Sequence, residues 1–171
     1  MFNKNVFISL GSNKGNRLFY LEYAKSLLYI DLNFRIINES SIYETEPMYN
    51  RAQKKFLNQV IEIETTLAPF LLLNHIKDLE MKIGRQMAVG KNMPREIDID
   101  ILSYGKMIVK KKKLTLPHKG FKERRFVLKP WAEIAENYKP IEGIETVREL
   151  LDNLIDSSDV VLYKKRMENY Y

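Results

Sequence analysis

Cysteine is absent from this chain of 171 residues, and histidine is scarce. Without thiols, the chain can form neither a disulfide nor a thiolate metal site, and it has no cysteine nucleophile. With only two histidines, a zinc site would need carboxylates to complete its ligand set. No apolar run approaches the roughly 20 residues of a membrane-spanning helix, and the first residues lack the apolar core and cleavage site of a signal peptide. These absences predict a cytosolic protein.

The residues that are present are typical of a folded domain, since 45% are hydrophobic and 29% are charged. A length of 171 residues suits a single domain, over 1–171, with a substantial hydrophobic core. The formal net charge of +6 favours anionic partners, a class that includes nucleotides, nucleic acids and membrane surfaces. Charge alone does not choose among them.

The order of the hydrophobic patterns predicts an α+β fold. Apolar segments predict strands over 6–10, 34–43, 57–65 and 97–102, with short strands around 107–109 and 114–116 and an edge strand over 160–162. Helical spacing predicts helices over 18–28, from Pro69 to a cap at Gly84, over 124–136 with an interruption at Pro130, and over 147–155. The order β-α-β-β-α-β suits a ferredoxin-like antiparallel sheet with helices mainly on one face, followed by C-terminal helices.

The most informative segment runs from Pro94 to Leu102. Isoleucines at 97, 99 and 101 alternate with acidic residues, the period-2 pattern of a strand with one face in a core. In such a strand Asp98 and Asp100 project from the same face, with carboxylates roughly 6–7 Å apart. Two anions this close repel unless a cation lies between them, and Mg²⁺ binds few carboxylates, completing its shell with water and phosphates. The pattern alone fits a solvated strand face equally well.

Cationic residues surround this pair along the chain. Arg85 and Arg95 bound an aperiodic segment that we interpret as a mobile loop, and guanidinium groups match phosphate oxygens with paired donors. His118 follows a short strand, where it could donate to phosphate or remain an exposed turn residue. The run Lys110–Lys113 is typical of a solvated hairpin end. Each residue alone is explained as a surface residue, but their placement favours a polyphosphate site.

Several motifs occur together in a specific order. They are Leu10-Gly11-Ser12-Asn13, the segment 40–47, Phe56-Leu57-Asn58, Pro94-Arg95-x-x-Asp98-x-Asp100, Leu116-Pro117-His118 and Arg124-Arg125-Phe126. Over about residues 6–140 the chain therefore resembles the 6-hydroxymethyl-7,8-dihydropterin pyrophosphokinases, a family of folate-pathway enzymes. The Arg-x-x-Asp-x-Asp and Leu-Pro-His motifs are highly specific in combination.

This resemblance implies transfer of the β,γ-diphosphate of MgATP to a pterin hydroxymethyl group, with release of AMP. It implies two Mg²⁺ ions on Asp98 and Asp100, and catalytic roles for these aspartates and for Arg85 and Arg95. The implied ATP site includes both arginines together with Glu80, Ile101, Lys113, Thr115, His118 and Arg124. The implied pterin site is a sandwich between Phe56 and Phe126, with its polar edge read by Asn58 and by Thr45, Pro47 and Met48. From the residues alone, core packing is the favoured interpretation of the two phenylalanines.

Six positions depart from the usual family pattern, and they bear on the loop, on nucleotide affinity and on the pterin loop. They are Met87, Asn92, Met93, Lys119, Glu46 and Tyr49. We expect a monomer that binds small molecules, with no nucleic-acid or membrane partner. One alternative is an RNA-binding module on a basic ferredoxin-like sheet, although no RNP1-like strand is present. Another is a nucleotidyltransferase that uses Asp98 and Asp100 with Gly11-Ser12 as its phosphate turn.

Overall fold

A computed structural model of the chain describes residues 1–48, 52–85, 93–143 and 145–166. Within these ranges none of the helices is both long enough and apolar enough to cross a bilayer. The strands are β1 (Asn3–Ser12), β2 (Phe34–Glu39), β3 (Ile42–Thr45), β4 (Phe56–Thr65), β5 (Asp98–Tyr104), β6 (Val109–Lys110), β7 (Thr115–Leu116) and β8 (Val160–Lys164). The helices are α1 (Arg17–Ile30), α2 (Pro69–Ile83), α3 (Arg125–Ala135) and α4 (Val147–Asp152), with a 3₁₀ turn over Phe121–Glu123.

Among the described residues the main sheet has six strands, and every pairing between them is antiparallel. The long strand β4 pairs with β1 along one side, while β2 and β3 share its other side. Next to β1 lies β5, and next to β3 lies β8, which confirms the predicted edge strand near 160–162. Strands β6 and β7 form a separate two-stranded ribbon. The α+β class with an antiparallel sheet is therefore confirmed.

Helices cover both faces of this sheet, and a hydrophobic core lies on each face. The apolar side chains of β1 alternate between these two cores. Val6, Ile8 and Leu10 lie in the core beneath α1 and α2. Phe7 lies in the second core, where its ring centroid is 5.3 Å from that of Trp131 in α3. Helices α1 and α2 thus share one face, and α3 and α4 cover the other face, which the predicted layout leaves for added elements or a ligand. A strand that is buried on both faces reads as a nearly continuous apolar run, as β1 does.

The prediction of a single strand over 34–43 is wrong, since Ser40 and Ser41 interrupt it and separate β2 from β3. Ser40 donates its backbone N–H to the Val60 carbonyl at 2.9 Å, and the Val60 N–H donates to Ser40 Oγ at 3.0 Å. The Ser41 N–H donates at 2.8 Å to Glu133 of α3. The side chains of Ser40 and Glu133 thus accept backbone N–H groups in place of regular ladder partners.

Two predicted features of the C-terminal helices are also wrong. Pro130 lies inside α3 without interrupting it. Pro130 has no N–H to donate to the Phe126 carbonyl four residues earlier, yet the helix continues through it to Ala135. Helix α4 ends at Asp152 rather than near 155, since the Asn153 N–H closes onto carbonyls of the last turn. The predicted cap of α2 is confirmed.

That cap, Gly84, gives the first testable prediction. Its φ of 112° lies in the left-handed region, and no heavy atom would lie within 4 Å of an added Cβ. Gly84→Ala should therefore cost backbone strain alone and lower the free energy of unfolding by about 1 kcal/mol. Gly84→Asn should cost less, because asparagine tolerates this region. Urea unfolding measures both, and an alanine variant as stable as the parent, or more stable than the asparagine variant, would contradict the assignment.

Candidate active site

A pocket of about 400 Å³ lies where β1, β4 and β5 run side by side, bordered by α2 and by the start of α3. Most of the predicted site residues line it. They are Thr45, Pro47, Met48, Phe56, Arg85, Arg95, Asp98, Asp100, His118, Arg124 and Phe126, and the wall is completed by Ser9, Gly11, Glu46, Gln53 and Lys77. Acidic and basic groups are thus concentrated at one part of the wall, and aromatic groups also face the same space.

The acidic pair lies as predicted on one face of β5. Asp98 and Asp100 both line the pocket with side chains 26% and 33% exposed, while Ile99 between them is buried in the opposite core. In the ladder with β1, Gly11 lies opposite Asp98 and Ser9 lies opposite Asp100. These two small residues leave space above the carboxylates, where larger side chains would fill the pocket.

Both predicted arginines contact Asp98. Arg85 Nη1 lies 2.8 Å from Asp98 Oδ1, and Arg95 Nη1 lies 2.9 Å from Asp98 Oδ2. Each carboxylate oxygen therefore accepts a charge-assisted hydrogen bond, the strong kind in proteins. The loop predicted between the two arginines falls largely on 86–92, which lie outside the described residues.

Glu80 lies beneath the pocket wall rather than on it. Its buried carboxylate accepts from the Ile99 N–H at 2.7 Å, from Lys77 Nζ at 2.9 Å and from Arg85. Burial raises the pKa of Glu80, although Lys77, the Ile99 N–H and Arg85 act in the opposite direction. Burial alone would lower the pKa of Arg85, but Asp98 and Glu80 outweigh it and raise that pKa. Glu80 thus fixes two cations at the pocket.

His118 lies beside the second aspartate, with Nε2 3.8 Å from Asp100 Oδ2. Burial lowers the pKa of His118, and Arg124 adds to this effect, while Asp100 opposes it. A neutral imidazole near pH 7 is able to donate one hydrogen bond to a phosphate oxygen. Burial, and then the charge of Asp98, raise the pKa of Asp100. Asp100 is therefore the carboxylate whose charge a bound cation would relieve most.

The donor set fits Mg²⁺ better than Zn²⁺. Across the described parts of the chain, no three His, Cys, Asp or Glu side chains come together as a metal cluster. Two carboxylates are enough for Mg²⁺, because this ion keeps waters and binds substrate phosphates, whereas zinc prefers nitrogen and sulfur ligands. Since the arginines occupy both oxygens of Asp98, a metal there requires their guanidinium groups to move onto other anions.

The aromatic residues predicted for the second substrate also face this space. Phe56 and Phe126 both line the pocket and are only partly buried, and Phe126 also packs against the second core. Asn58 lies behind the wall, where its Nδ2 donates to Thr45 Oγ1 at 2.7 Å. Its Oδ1 would lie 3.2 Å from a Cβ added to Gly11. A glycine at that position therefore lets β1 approach the amide closely.

Besides Glu80, three predicted ATP-site residues do not line the pocket. Ile101 belongs to the core beneath α1 and α2, while Lys113 and Thr115 are exposed on the ribbon of β6 and β7 and its turn. Of the six departures from the family pattern, Met87, Asn92 and Tyr49 lie outside the described residues. Met93 and Lys119 are exposed, and Glu46 lines the pocket and pairs with Lys55 at 2.8 Å.

Sequence reasoning missed Ser9, Gln53 and Lys77 as pocket residues and did not assign Gly11 a role there. A signal existed for two of them, because Ser9 and Gly11 are the small residues that alternate with large apolar ones in a buried strand. Lys77 precedes Glu80 by three positions, which places both on one face of α2. No local pattern marks Gln53, since its neighbours in the pocket come from distant parts of the chain.

Glu80 gives the second prediction. Glu80→Ala leaves the Ile99 N–H without its acceptor and removes a buried partner of Arg85, so it should lower the free energy of unfolding by about 3 kcal/mol. Glu80→Gln keeps an acceptor for Ile99 and should cost less than half as much. Chemical unfolding measures both changes, with Glu123→Gln as a control that should be neutral, because Glu123 is exposed. An alanine variant within about 0.5 kcal/mol of the parent would contradict the buried ion network.

The chain is similar in sequence to bacterial pyrophosphokinases and to a fungal folic acid synthesis protein. The chain is 39% identical over 148 residues to the 2-amino-4-hydroxy-6-hydroxymethyldihydropteridine pyrophosphokinase of Bacillus subtilis, covering 86% of this chain and 88% of that protein. The protein of the same name from Methylorubrum extorquens is 38% identical over 149 residues, covering 87% of this chain and 92% of that protein. The folic acid synthesis protein fol1 of Schizosaccharomyces pombe is 37% identical over 94% of this chain, which spans only 22% of the fungal protein.

Solved structures show the same fold at lower sequence identity. The Plasmodium falciparum HPPK-DHPS crystal structure with pteroate matches with a TM-score of 0.66 and 16% identity, over 89% of this chain and 42% of that chain. A triple mutant of that protein with SDX-DHP matches with a TM-score of 0.69 and 18% identity, over 89% of this chain and 41% of that chain. The chain thus spans less than half of these larger proteins.

A sequence model of one family, described as 7,8-dihydro-6-hydroxymethylpterin-pyrophosphokinase, matches residues 7–136. This stretch runs from within β1 to the end of α3 and includes every residue of the pocket wall. The resemblance seen in the sequence motifs is confirmed. With the carboxylate pair, the arginines and the aromatic wall in one pocket, the chain belongs to the 7,8-dihydro-6-hydroxymethylpterin pyrophosphokinase family.

Proposed function

We propose that this chain transfers the β,γ-diphosphate of MgATP to the hydroxymethyl group of 6-hydroxymethyl-7,8-dihydropterin, giving the pterin diphosphate and AMP in folate biosynthesis. Family membership supports the reaction. The observation that carries the proposal for this chain is that one pocket is lined by Asp98 and Asp100, by the two arginines that bind Asp98, and by two phenylalanines. A phosphate-transfer site and a site for a flat heteroaromatic ring are thus adjacent.

On the phosphate side, the chain supplies charge and position rather than covalent chemistry. Asp98 and Asp100 would hold the metal. The proposal includes two Mg²⁺ ions, because the small residues Gly11 and Ser9 of β1 leave space beside each carboxylate. When bound there, Mg²⁺ neutralises phosphate charge and lowers the pKa of an attacking hydroxyl group. Arg85 and Arg95 then leave Asp98 and donate to phosphate oxygens, as His118 and Arg124 do from the other side.

Five further residues complete the proposed nucleotide site. Lys77 faces the pocket and adds a cation held by Glu80. Lys113, Thr115 and Ile101 would contact ATP beyond the pocket wall, near the ribbon of β6 and β7. Glu80 itself serves by holding Arg85 and Lys77, because its carboxylate is fully buried.

On the pterin side, Phe56 and Phe126 would enclose the ring between aromatic faces. Asn58 can both donate and accept, so its amide suits a heterocycle with alternating donors and acceptors. Thr45, Pro47 and Met48 line the neighbouring wall and would read the polar edge through their backbone. A pterin bound in this way would present its hydroxymethyl group to the acidic pair.

The two alternative functions gain no support. An RNA-binding sheet needs an open face, but Phe7, Val60 and Leu102 on the second face are buried beneath α3 and α4. A nucleotidyltransferase would use Gly11-Ser12 as a phosphate turn, but both residues lie inside strand β1, and Ser12 is buried.

The proposal extends to the architecture and to the state of the protein. Strand order β5-β1-β4, followed by β2 and β3 in one shared position, supports a ferredoxin-like core to which β8 is added. Residues 1–171 would act as one catalytic unit, as a monomer in the cytosol, binding small molecules rather than nucleic acid or membrane.

A product assay tests the reaction directly. Incubation with MgATP and hydroxymethyldihydropterin should give AMP and pterin diphosphate in equal amounts by chromatography. Asp98→Asn and Asp100→Asn should each lower kcat by at least about 100-fold, because charge stabilisation of the transferring group is lost. The exposed Asp152→Asn on α4 is the matched control and should keep full activity. Formation of ADP, or of pyrophosphate with an adenylylated pterin, would refute the proposed reaction.

A further inference from the structure

Asn13 connects the two halves of the pocket through hydrogen bonds that the proposed reaction does not use. It follows β1 directly and is 1% exposed. The backbone N–H of Arg95 donates to Asn13 Oδ1 at 2.8 Å, and the backbone N–H of Asn13 donates to the Arg95 carbonyl at 3.2 Å. The side chain and backbone of Asn13 therefore bind the backbone of Arg95 at both its donor and its acceptor.

The other end of the same amide reaches the opposite side. Asn13 Nδ2 donates to Gln53 Oε1 at 2.9 Å, and Gln53 lines the pocket in the segment just before Phe56. A single buried side chain thus bonds a residue beside the phosphate site and a residue beside the pterin site. These partners are 40 and 82 positions away from Asn13 in the sequence.

We propose that Asn13 is a positioning residue that couples binding of the pterin to the placement of Arg95 on the phosphate side. The inference rests on the proposed function, because it assigns the two substrates to the two sides of the pocket. A pterin that orders Gln53 favours one orientation of the Asn13 amide, and that orientation presents Oδ1 to the Arg95 N–H. By linkage, a nucleotide that fixes Arg95 strengthens pterin binding by the same factor.

The amide is suited to this role because its two ends differ chemically. The oxygen accepts and the nitrogen donates, so a flip of the amide would place a donor against the Arg95 N–H and an acceptor against Gln53 Oε1. Burial makes both mismatches costly, since buried polar groups without partners lose their solvation. The contacts therefore select one orientation, and both sides of the pocket favour it together.

The test measures the dissociation constant of hydroxymethyldihydropterin by calorimetry, with and without saturating Mg²⁺ and α,β-methylene-ATP. In the parent chain the nucleotide should tighten pterin binding at least about fivefold. In Asn13→Ala the factor should fall below about twofold, and kcat should fall more than KM rises because Arg95 is misplaced. A parent factor near one, or an unchanged factor in Asn13→Ala, would overturn the proposal.

If Asn13→Ala folds poorly, variants of Gln53, which accepts from Asn13 Nδ2, test the same coupling. Gln53→Met removes the acceptor for Asn13 Nδ2 and should lose the tightening, whereas Gln53→Glu keeps an acceptor and should restore it. Arg17→Met is the matched control, because Arg17 anchors the same segment through the Lys55 carbonyl at 2.7 Å without contacting Arg95. It should keep the tightening factor, and its loss would overturn the proposal. A parent chain that makes no AMP would instead count against the proposed function.

Discussion

Repulsion between two carboxylates on one face of β5 is the constraint around which the pocket is arranged. Asp98 accepts from two arginines, so its charge is compensated within the chain. Asp100 has His118 at 3.8 Å and a raised pKa, caused by burial and by Asp98, so its compensation is weaker. A site built in this way is stable without substrate, yet it gains most from a metal that arrives with phosphates.

The scaffold meets this constraint with both neighbours of β5. On one side, β1 places Gly11 and Ser9 opposite the aspartates, which leaves room for ions and substrate. On the other, α2 provides Glu80, whose buried carboxylate bonds the backbone of β5 at Ile99 and also holds Arg85. The position of Arg85, for which we propose a catalytic role, is thus fixed by the same group that joins α2 to β5.

Local patterns were sufficient to predict the parts of the fold and site that depend on neighbours in sequence. The period of two in β5 predicted the shared face of the aspartates, and the position of Gly84 predicted the cap of α2. The break at Ser40 and Ser41 could not be predicted this way, since Ser41 is bonded to Glu133, 92 positions away. Gln53 and the connecting role of Asn13 were missed for the same reason. Such contacts exist only after the strands have found their register, and the family motifs mark the residues without showing those bonds.

The central claim is that Asp98 and Asp100 together hold the metal ions that accompany ATP. Electron paramagnetic resonance with Mn²⁺, α,β-methylene-ATP and hydroxymethyldihydropterin measures this directly as ions bound per chain. The arrangement predicts two ions per chain in the parent, and at least about tenfold weaker binding of the ions when both aspartates are changed to asparagine. Two ions bound with unchanged affinity in that double variant would contradict it.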